Sequence, residues 1–252
     1  MKDDKPSVIR ETDEDARHLA RVLLRSARFA ALAVLDPETG FPFCSRVLVG
    51  TDVDGVPVIL VSGLSAHTKA LLQDQRASLL CGEPGKGDPL AHPRLTVQCL
   101  AQRVATDGEQ HGRLRQRFLN RHPKAKLYID FPDFAFFRLV PQSANLNGGF
   151  ARAYILPGDD LVIRSPATES LAAVEQDVLR ELVSRTPEAA TRIATMERAP
   201  KGEKWQFAGI DMAGIDLICG NLLLRHEFGG PIATKDDAIL YITNTAYVIP
   251  EI

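Results

Sequence analysis

The chain reads as an α+β protein in two parts, and three observations carry that reading. Short β-branched and apolar runs separated by turn residues recur from Phe29 to Val140. Helical periodicity interrupts them at only a few places. A break near Pro157-Gly158-Asp159-Asp160 is followed by a smaller stretch that mixes helix and strand patterns. At 252 residues there is room for one or two domains with a substantial core, and the expected division is residues 1–158 and 168–252.

In chain order, Thr12 with Asp15 three residues later resembles a capping box, and Ala16, Leu19, Ala20, Leu23 and Leu24 recur at helical spacing, so a helix is expected from Asp13 to Ser26. Phe29 to Leu35 is a continuous apolar run ended by Asp36-Pro37-Glu38-Thr39-Gly40, a buried strand with its turn. Phe43 to Val49 and Val56 to Ser62 flank Thr51-Asp52-Val53-Asp54-Gly55, where the Asp-Gly pair supplies the positive φ of a tight reversal. A helix from Ser65 to Gln73 follows, then strands at Ala77 to Cys81 and Arg94 to Thr106 around a Gly- and Pro-rich loop. Asp107 to Arg121 reads as a helix, Lys124 to Asp130 as a short one, and Phe134 to Val140 as a strand. Past the break a strand is expected to reach Arg164. Glu169 to Arg185 has helical spacing, Trp205 to Ile210 and Gly214 to Cys219 flank Asp211-Met212-Ala213 as a hairpin, and Ala233 to Tyr247 closes the unit as a helix.

The chemistry concentrates in the Pro42 to Asp74 stretch. Side chains alternate along a strand, so Cys44, Arg46 and Leu48 share one side and Ser45, Val47 and Val49 the other. Ser65 is placed as N-cap, with His67, Thr68 and Lys69 in a first turn whose unpaired N–H groups attract anions. Arg46 offers a rigid fork, Lys69 a point charge, and Ser62 and Thr68 hydroxyls that suit a phosphate.

Several other classes are excluded or unsupported. The net charge of −2 argues against a general nucleic-acid binder. The charged first residues lack a signal segment and no stretch has the apolar length of a membrane span, so a cytoplasmic protein is expected. Cys44, Cys81, Cys99 and Cys219 show no metal or disulfide spacing. His18, His67, His92, His111, His122 and His226 show neither H-x-x-x-H nor H-E-x-x-H, so no metal site is expected. Gly85-Lys86 lacks the other residues of a P-loop, and neither G-x-G-x-x-G nor G-x-S-x-G is present in a fitting context. Arg113, Arg117 and Arg121 form a basic helix stripe, expected to be solvated or to meet another subunit.

Arg46-Val47-Leu48, Val61-Ser62, His67-Thr68-Lys69 and Pro93-Arg94-Leu95-Thr96 occur in an order that resembles the FMN-binding split β-barrel family of pyridoxamine 5'-phosphate oxidase-like proteins. His122-Pro123, Asp133-Phe134 and Asn147-Gly148-Gly149-Phe150 are similar to its haem-utilisation (HugZ-type) branch. Trp205, Gly209-Ile210-Asp211 and Gly214-Ile215-Asp216-Leu217 resemble the C-terminal α+β domain often attached there. The resemblance implies a split β-barrel followed by a smaller α+β domain, and a homodimer with the cofactor at the subunit interface. It implies an FMN phosphate, with a charge of about −1.5 to −2, between Arg46, Ser62, Thr68 and Lys69, with His67 beside it. Backbone at Val47 and Leu48 would edge the isoalloxazine ring and Arg94 would meet ring or ribityl oxygens. The implied function is a flavoprotein with oxidoreductase potential; the alternative is a haem-binding or haem-degrading protein on the same fold, and a third is a binding module without turnover.

Three departures limit the transfer. The Arg-x-His ending of true pyridoxamine-phosphate oxidases is absent, so that activity is not expected. Ala151 stands where the family's Gly-Gly-Phe-Gly ends in glycine. Val174-Glu175-Gln176-Asp177-Val178 lacks the histidine of the family's Met-Asn-x-Asp-His run, so no ligand role is carried over.

Overall fold

A computed structural model describes residues 9–149, 152–200 and 204–247. Phe150 and Ala151, the end of the glycine-rich stretch, lie outside the described residues. Contacts divide the chain into two units whose segments interleave along the sequence. The first takes residues up to Gly50, Gly55–His111 and Tyr128–Val162; the second takes Thr51–Asp54, Gly112–Leu127 and the chain from Ile163 on.

The first unit is a barrel built from β1 (Phe29–Leu35), β2 (Pro42–Thr51), β3 (Pro57–Ser62), β4 (Arg76–Cys81), β5 (Arg94–Arg103) and β6 (Phe134–Asn147). The sheet order is β3-β2-β1-β4-β5-β6, and β3 also pairs with β6, which closes the ring; β7 (Ala153–Pro157) lies beside β6. Closure leaves no free edge among the six strands, which is why strands as apolar as β3 are tolerated. Strand alternation fills the interior: Leu32, Val49, Leu79, Val97 and Leu139 are fully buried. Helix α1 (Glu14–Ser26) adds Ala20 and Leu24 to that core, and α2 (Ala66–Gln73) adds Ala70 and Leu71.

Several expectations are corrected in detail. The α1 cap is Asp13, whose carboxylate accepts from Ala16 N at 2.8 Å, rather than Thr12, whose hydroxyl donates to Ile155 O at 2.9 Å. β6 does not stop before Pro141. It runs on to Asn147: Pro141 stays in register opposite Cys99, and a bulge at the next residue, Gln142, shifts the register between Gln98 and Cys99. Lys124 to Asp130 is replaced by a 3-10 turn over Pro123–Leu127, and the expected strand to Arg164 by a 3-10 turn over Gly158–Leu161.

The second unit holds the later part of α3 (Glu109–Arg121), α4 (Pro166–Arg185), α5 (Ala189–Met196), the antiparallel sheet β8 (Gln206–Asp211), β9 (Gly214–Cys219) and β10 (Leu222–Glu227), and α6 (Lys235–Tyr247). α5 and β10 have no counterpart in the sequence reading. The core is apolar at Leu171, Val178, Leu182, Ile215, Leu217 and Ile242. Next to it lies a buried ion network. Arg117 pairs with Glu175, Arg121 reaches Asp216 at 3.0 Å, and Arg225 reaches Asp211 at 2.8 Å and Asp216 at 3.0 Å. The hairpin tip takes part: Arg113 grips both oxygens of Asp52 at 3.0 Å, and Arg117 Nε donates to Thr51 O at 2.9 Å. The basic stripe of α3 is therefore not a solvated face, and Arg117 and Arg121 are buried with acid partners.

Among the described residues no helix is long and apolar enough to cross a membrane, and no group of three His, Cys, Asp or Glu side chains is placed to hold a metal.

Candidate functional site

The barrel presents two chemically different surfaces at β2, and the predicted site residues divide between them. Inward, Ser45 Oγ lies 3.0 Å from His67 Nδ1, which ties the first turn of α2 to the strand. Burial holds the His67 imidazole below its ordinary pKa. Among the described residues, His67 Nε2 and the Thr68 hydroxyl, on a residue 3% exposed, are buried without a hydrogen-bond partner. Ser65 occupies the N-cap position of α2 but makes no side-chain cap bond; its carbonyl accepts from Thr68 N at 3.1 Å and Lys69 N at 3.2 Å. The Lys69 side chain is exposed. Ser62, at the end of β3, donates to Asp133 Oδ2 at 2.5 Å and accepts from Leu64 N at 3.1 Å. Its proton is committed to an acid the sequence reading did not connect to it, since the pair is separated by 71 residues.

Outward, cross-strand register assembles a flat face. Arg46 is opposite Ala31, Ala31 opposite Leu80, Leu80 opposite Thr96, Thr96 opposite Asn145, and Asn145 opposite Ile155. With strands about 4.8 Å apart, the distance from β2 to β5 along this row is about 14 Å. The next row carries Leu48 opposite Phe29 and Arg94 opposite Asn147. The Arg46 guanidinium lies over the Phe29 ring, 5.3 Å from its centroid, and Arg94 Nη1 donates to Leu90 O at 3.2 Å. Arg46, Leu48 and Arg94 thus share the outer face, whereas Val47 is buried in the core and His67 meets the inner side of β2. In the other direction along the strands, the following row is Cys44, Ala33, Ser78, Gln98 and Ser143. Here the face sinks into a cavity of about 490 Å³ bordered by Leu35, Pro42, Arg76, Leu100 and Gln142.

The central feature of the outer face is Ala31 and Leu80, apolar, beside the short Thr96 side chain, with an arginine at either flank. Alternation makes such a face legible strand by strand. The sequence gives no sign of which strands adjoin, so Ala31, Leu80 and Ser78 could not be joined to Arg46 beforehand.

The closed six-stranded barrel with its added strand, and the α+β unit encoded after it, define a split β-barrel protein of the pyridoxamine 5'-phosphate oxidase-like type. The model of the CREG β-barrel family matches residues 11–161, more than half the chain, and the chain belongs to that family. Among solved structures, Atu2129 of Agrobacterium tumefaciens str. C58, a protein of unknown function, is 32% identical over 95% of this chain and 100% of its own, with a TM-score of 0.80. A heme binding protein from Mycobacterium smegmatis is 25% identical over 96% of this chain and 97% of its own, with a TM-score of 0.54. The non-canonical heme oxygenase HOZ, chloroplastic, of Arabidopsis thaliana is 33% identical over 120 residues, 48% of this chain and 36% of that protein. The matched segment therefore spans about a third of that relative's length. These likenesses agree with the haem-utilisation branch of the split-barrel proteins.

Proposed function

We propose that the protein binds haem on the outer face of its barrel. The observation that carries the reading is the Arg46–Ala31–Leu80–Thr96 row with Arg94 in the row beside it: an apolar platform bracketed by cations. A planar macrocycle needs small and apolar side chains beneath it, and its two carboxylates need separate positive partners. Ala31, Leu80 and Phe29 would support the ring, while Arg46 and Arg94 would take the carboxylates. When bound, haem would supply the iron's redox chemistry; these residues would orient the ring and hold its acidic edge. Two relatives whose names refer to haem support the choice.

Haemin titration is the test. A Soret shift with one-to-one stoichiometry is expected, and Arg46→Ala or Arg94→Ala should weaken binding roughly tenfold to a hundredfold, the worth of a charge-assisted hydrogen bond of about 1.5–3 kcal/mol. Absence of any Soret shift in the wild-type protein would overturn the proposal.

FMN is the second reading. The resemblance implies Arg46, Ser62, Thr68 and Lys69 around its phosphate with His67 beside them, but Arg46 stands on the outer face of β2 whereas His67 meets its inner side. Val47 and Leu48 backbone would edge the ring, with Arg94 at ring or ribityl oxygens. The Asp133 carboxylate held by Ser62 works against a doubly charged phosphate at that hydroxyl, which ranks this reading after haem. FMN fluorescence titration, with Arg46→Ala and Lys69→Ala together as control, decides it; an oxidoreductase role requires that the bound flavin be reducible. We also propose that two copies of the chain associate, because Leu80 and Ile155 are 45% and 51% exposed in the same outer row.

A further inference from the structure

The cavity beside Arg76 is a separate feature of the outer face, and its lining is specific. β6 carries one residue too many opposite Gln98 and Cys99, and the extra residue is Gln142. A bulge redirects a side chain, and here Gln142 joins the lining of the cavity. Its Nε2 donates to Val140 O at 3.2 Å and Pro141 O at 3.3 Å, so the amide is turned with Oε1 left as a free acceptor among the described residues. Gln98 is turned the opposite way. Its Oε1 accepts from Ser143 Oγ at 2.7 Å, which leaves Nε2 as a free donor among the described residues. The cavity therefore offers one donor and one acceptor from neighbouring strands, together with the Ser78 hydroxyl and the guanidinium of Arg76, which Asp74 holds at the rim. Leu35, Pro42 and Leu100 supply apolar walls. At about 490 Å³ it lies within the range of small-molecule sites, roughly 300–1,000 Å³.

A donor beside an acceptor is the complement of a lactam edge, in which a ring N–H adjoins a ring C=O: the N–H would meet Gln142 Oε1 and the C=O would meet Gln98 Nε2. An acidic substituent on the same ligand would meet Arg76. Burial pushes the Cys99 thiol in its wall far above its ordinary pKa. We propose that this cavity binds a lactam-edged ring carrying an acidic group, and that its ligand is a linear tetrapyrrole, whose end rings are lactams and which bears two propionates. The choice of a tetrapyrrole rests on the haem reading above; the lactam chemistry rests on the two glutamines alone.

The experiment uses the full chain and three probes added separately: biliverdin, FMN and haemin, followed by absorbance or fluorescence. Gln98→Leu with Gln142→Leu removes the donor and acceptor at exposed positions, and Leu100→Trp fills the cavity while leaving both amides. Biliverdin should bind the wild-type protein, weaken by roughly tenfold for each lost hydrogen bond in the double variant, and fail to bind the Leu100→Trp protein, while the haemin response stays unchanged in both. Equal biliverdin affinity in wild type and double variant, or no binding by the wild type, overturns the proposal. Loss of FMN rather than biliverdin binding in the double variant overturns the tetrapyrrole assignment. Should haemin fail with the wild type while biliverdin binding still depends on the two glutamines, the haem reading falls and this site stands.

Discussion

Replacing Arg117 by alanine should destabilise the second unit severely, and in a way that acid partly repairs. Arg117 is 6% exposed. It donates from Nε to Thr51 O at 2.9 Å and from Nη1 to Ile210 O at 3.0 Å, and it pairs with Glu175, which is 1% exposed. Burial raises the Glu175 pKa above the ordinary carboxylate value, and the Arg117 charge opposes that rise. Without the guanidinium, Glu175 becomes a buried charge lacking its counter-ion. Breaking such a pair from one side costs about 3–5 kcal/mol. At about 2–4 °C per kcal/mol for a chain of this size, the midpoint should fall by roughly 6–20 °C.

The pH dependence follows from the same raised pKa. Between the unfolded value and the higher folded value, the folded state binds more protons, so stability rises as pH falls through that window. Acidification from neutral pH should therefore recover part of the Arg117→Ala loss. Trp205 is the chain's single tryptophan and lies 4% exposed in the core of the second unit, so its emission during urea unfolding follows that unit. Replacing both partners, Arg117→Met with Glu175→Leu, should restore much of the stability, because a buried pair exchanged for apolar side chains is often neutral or better. A single variant within about 0.5 kcal/mol of wild type, the range of ordinary surface changes, or one that weakens further on mild acidification, would refute this account.

Two further outcomes concern the barrel. Gly55 has φ +88°, and a Cβ there would collide with the Arg25 guanidinium, which is fully buried and donates to Leu161 O at 3.4 Å. Gly55→Ala combines that clash with an unfavourable backbone and should cost more than about 1 kcal/mol in chemical denaturation, the upper range for glycine effects at compatible sites. His67, whose pKa burial lowers, should stay neutral on mild acidification. The unfolded chain then takes up its proton first, so stability falls as pH drops below the unfolded value of about 6.5. An NMR titration that finds the His67 ring protonating at or above the ordinary value would contradict its placement against Ser45.

What the sequence made legible was local. Asp54-Gly55 announced the reversal between β2 and β3, and Gly55 has the positive φ that reversal requires. The alternation that put Arg46 opposite in sense to Ser45 also holds. What it hid depends on partners distant in the chain. Arg117 looked like one member of a solvated stripe because its acid, Glu175, is 58 residues away, and Arg121 meets Asp216 across 95. Ser62 looked free because Asp133 lies beyond α2, β4, β5 and α3 in the chain. β6 looked short because Pro141 reads as a strand breaker, yet it pairs with Cys99 beside a bulge at Gln142, and the two glutamines of the cavity take their orientation from contacts with β6.

The hairpin tip at Thr51–Asp54 and the later half of α3 belong to the second unit although strands of the first precede and follow them. Trimming the gene after Val162 would thus leave every barrel strand in place and still yield a poor fragment, with Arg117 and Arg121 retained but their carboxylates cut away. The complementary piece would inherit Glu175 without Arg117, and Asp216 with Arg225 but without Arg121. Any attempt to recombine or shuffle these halves has to move three stretches of chain together.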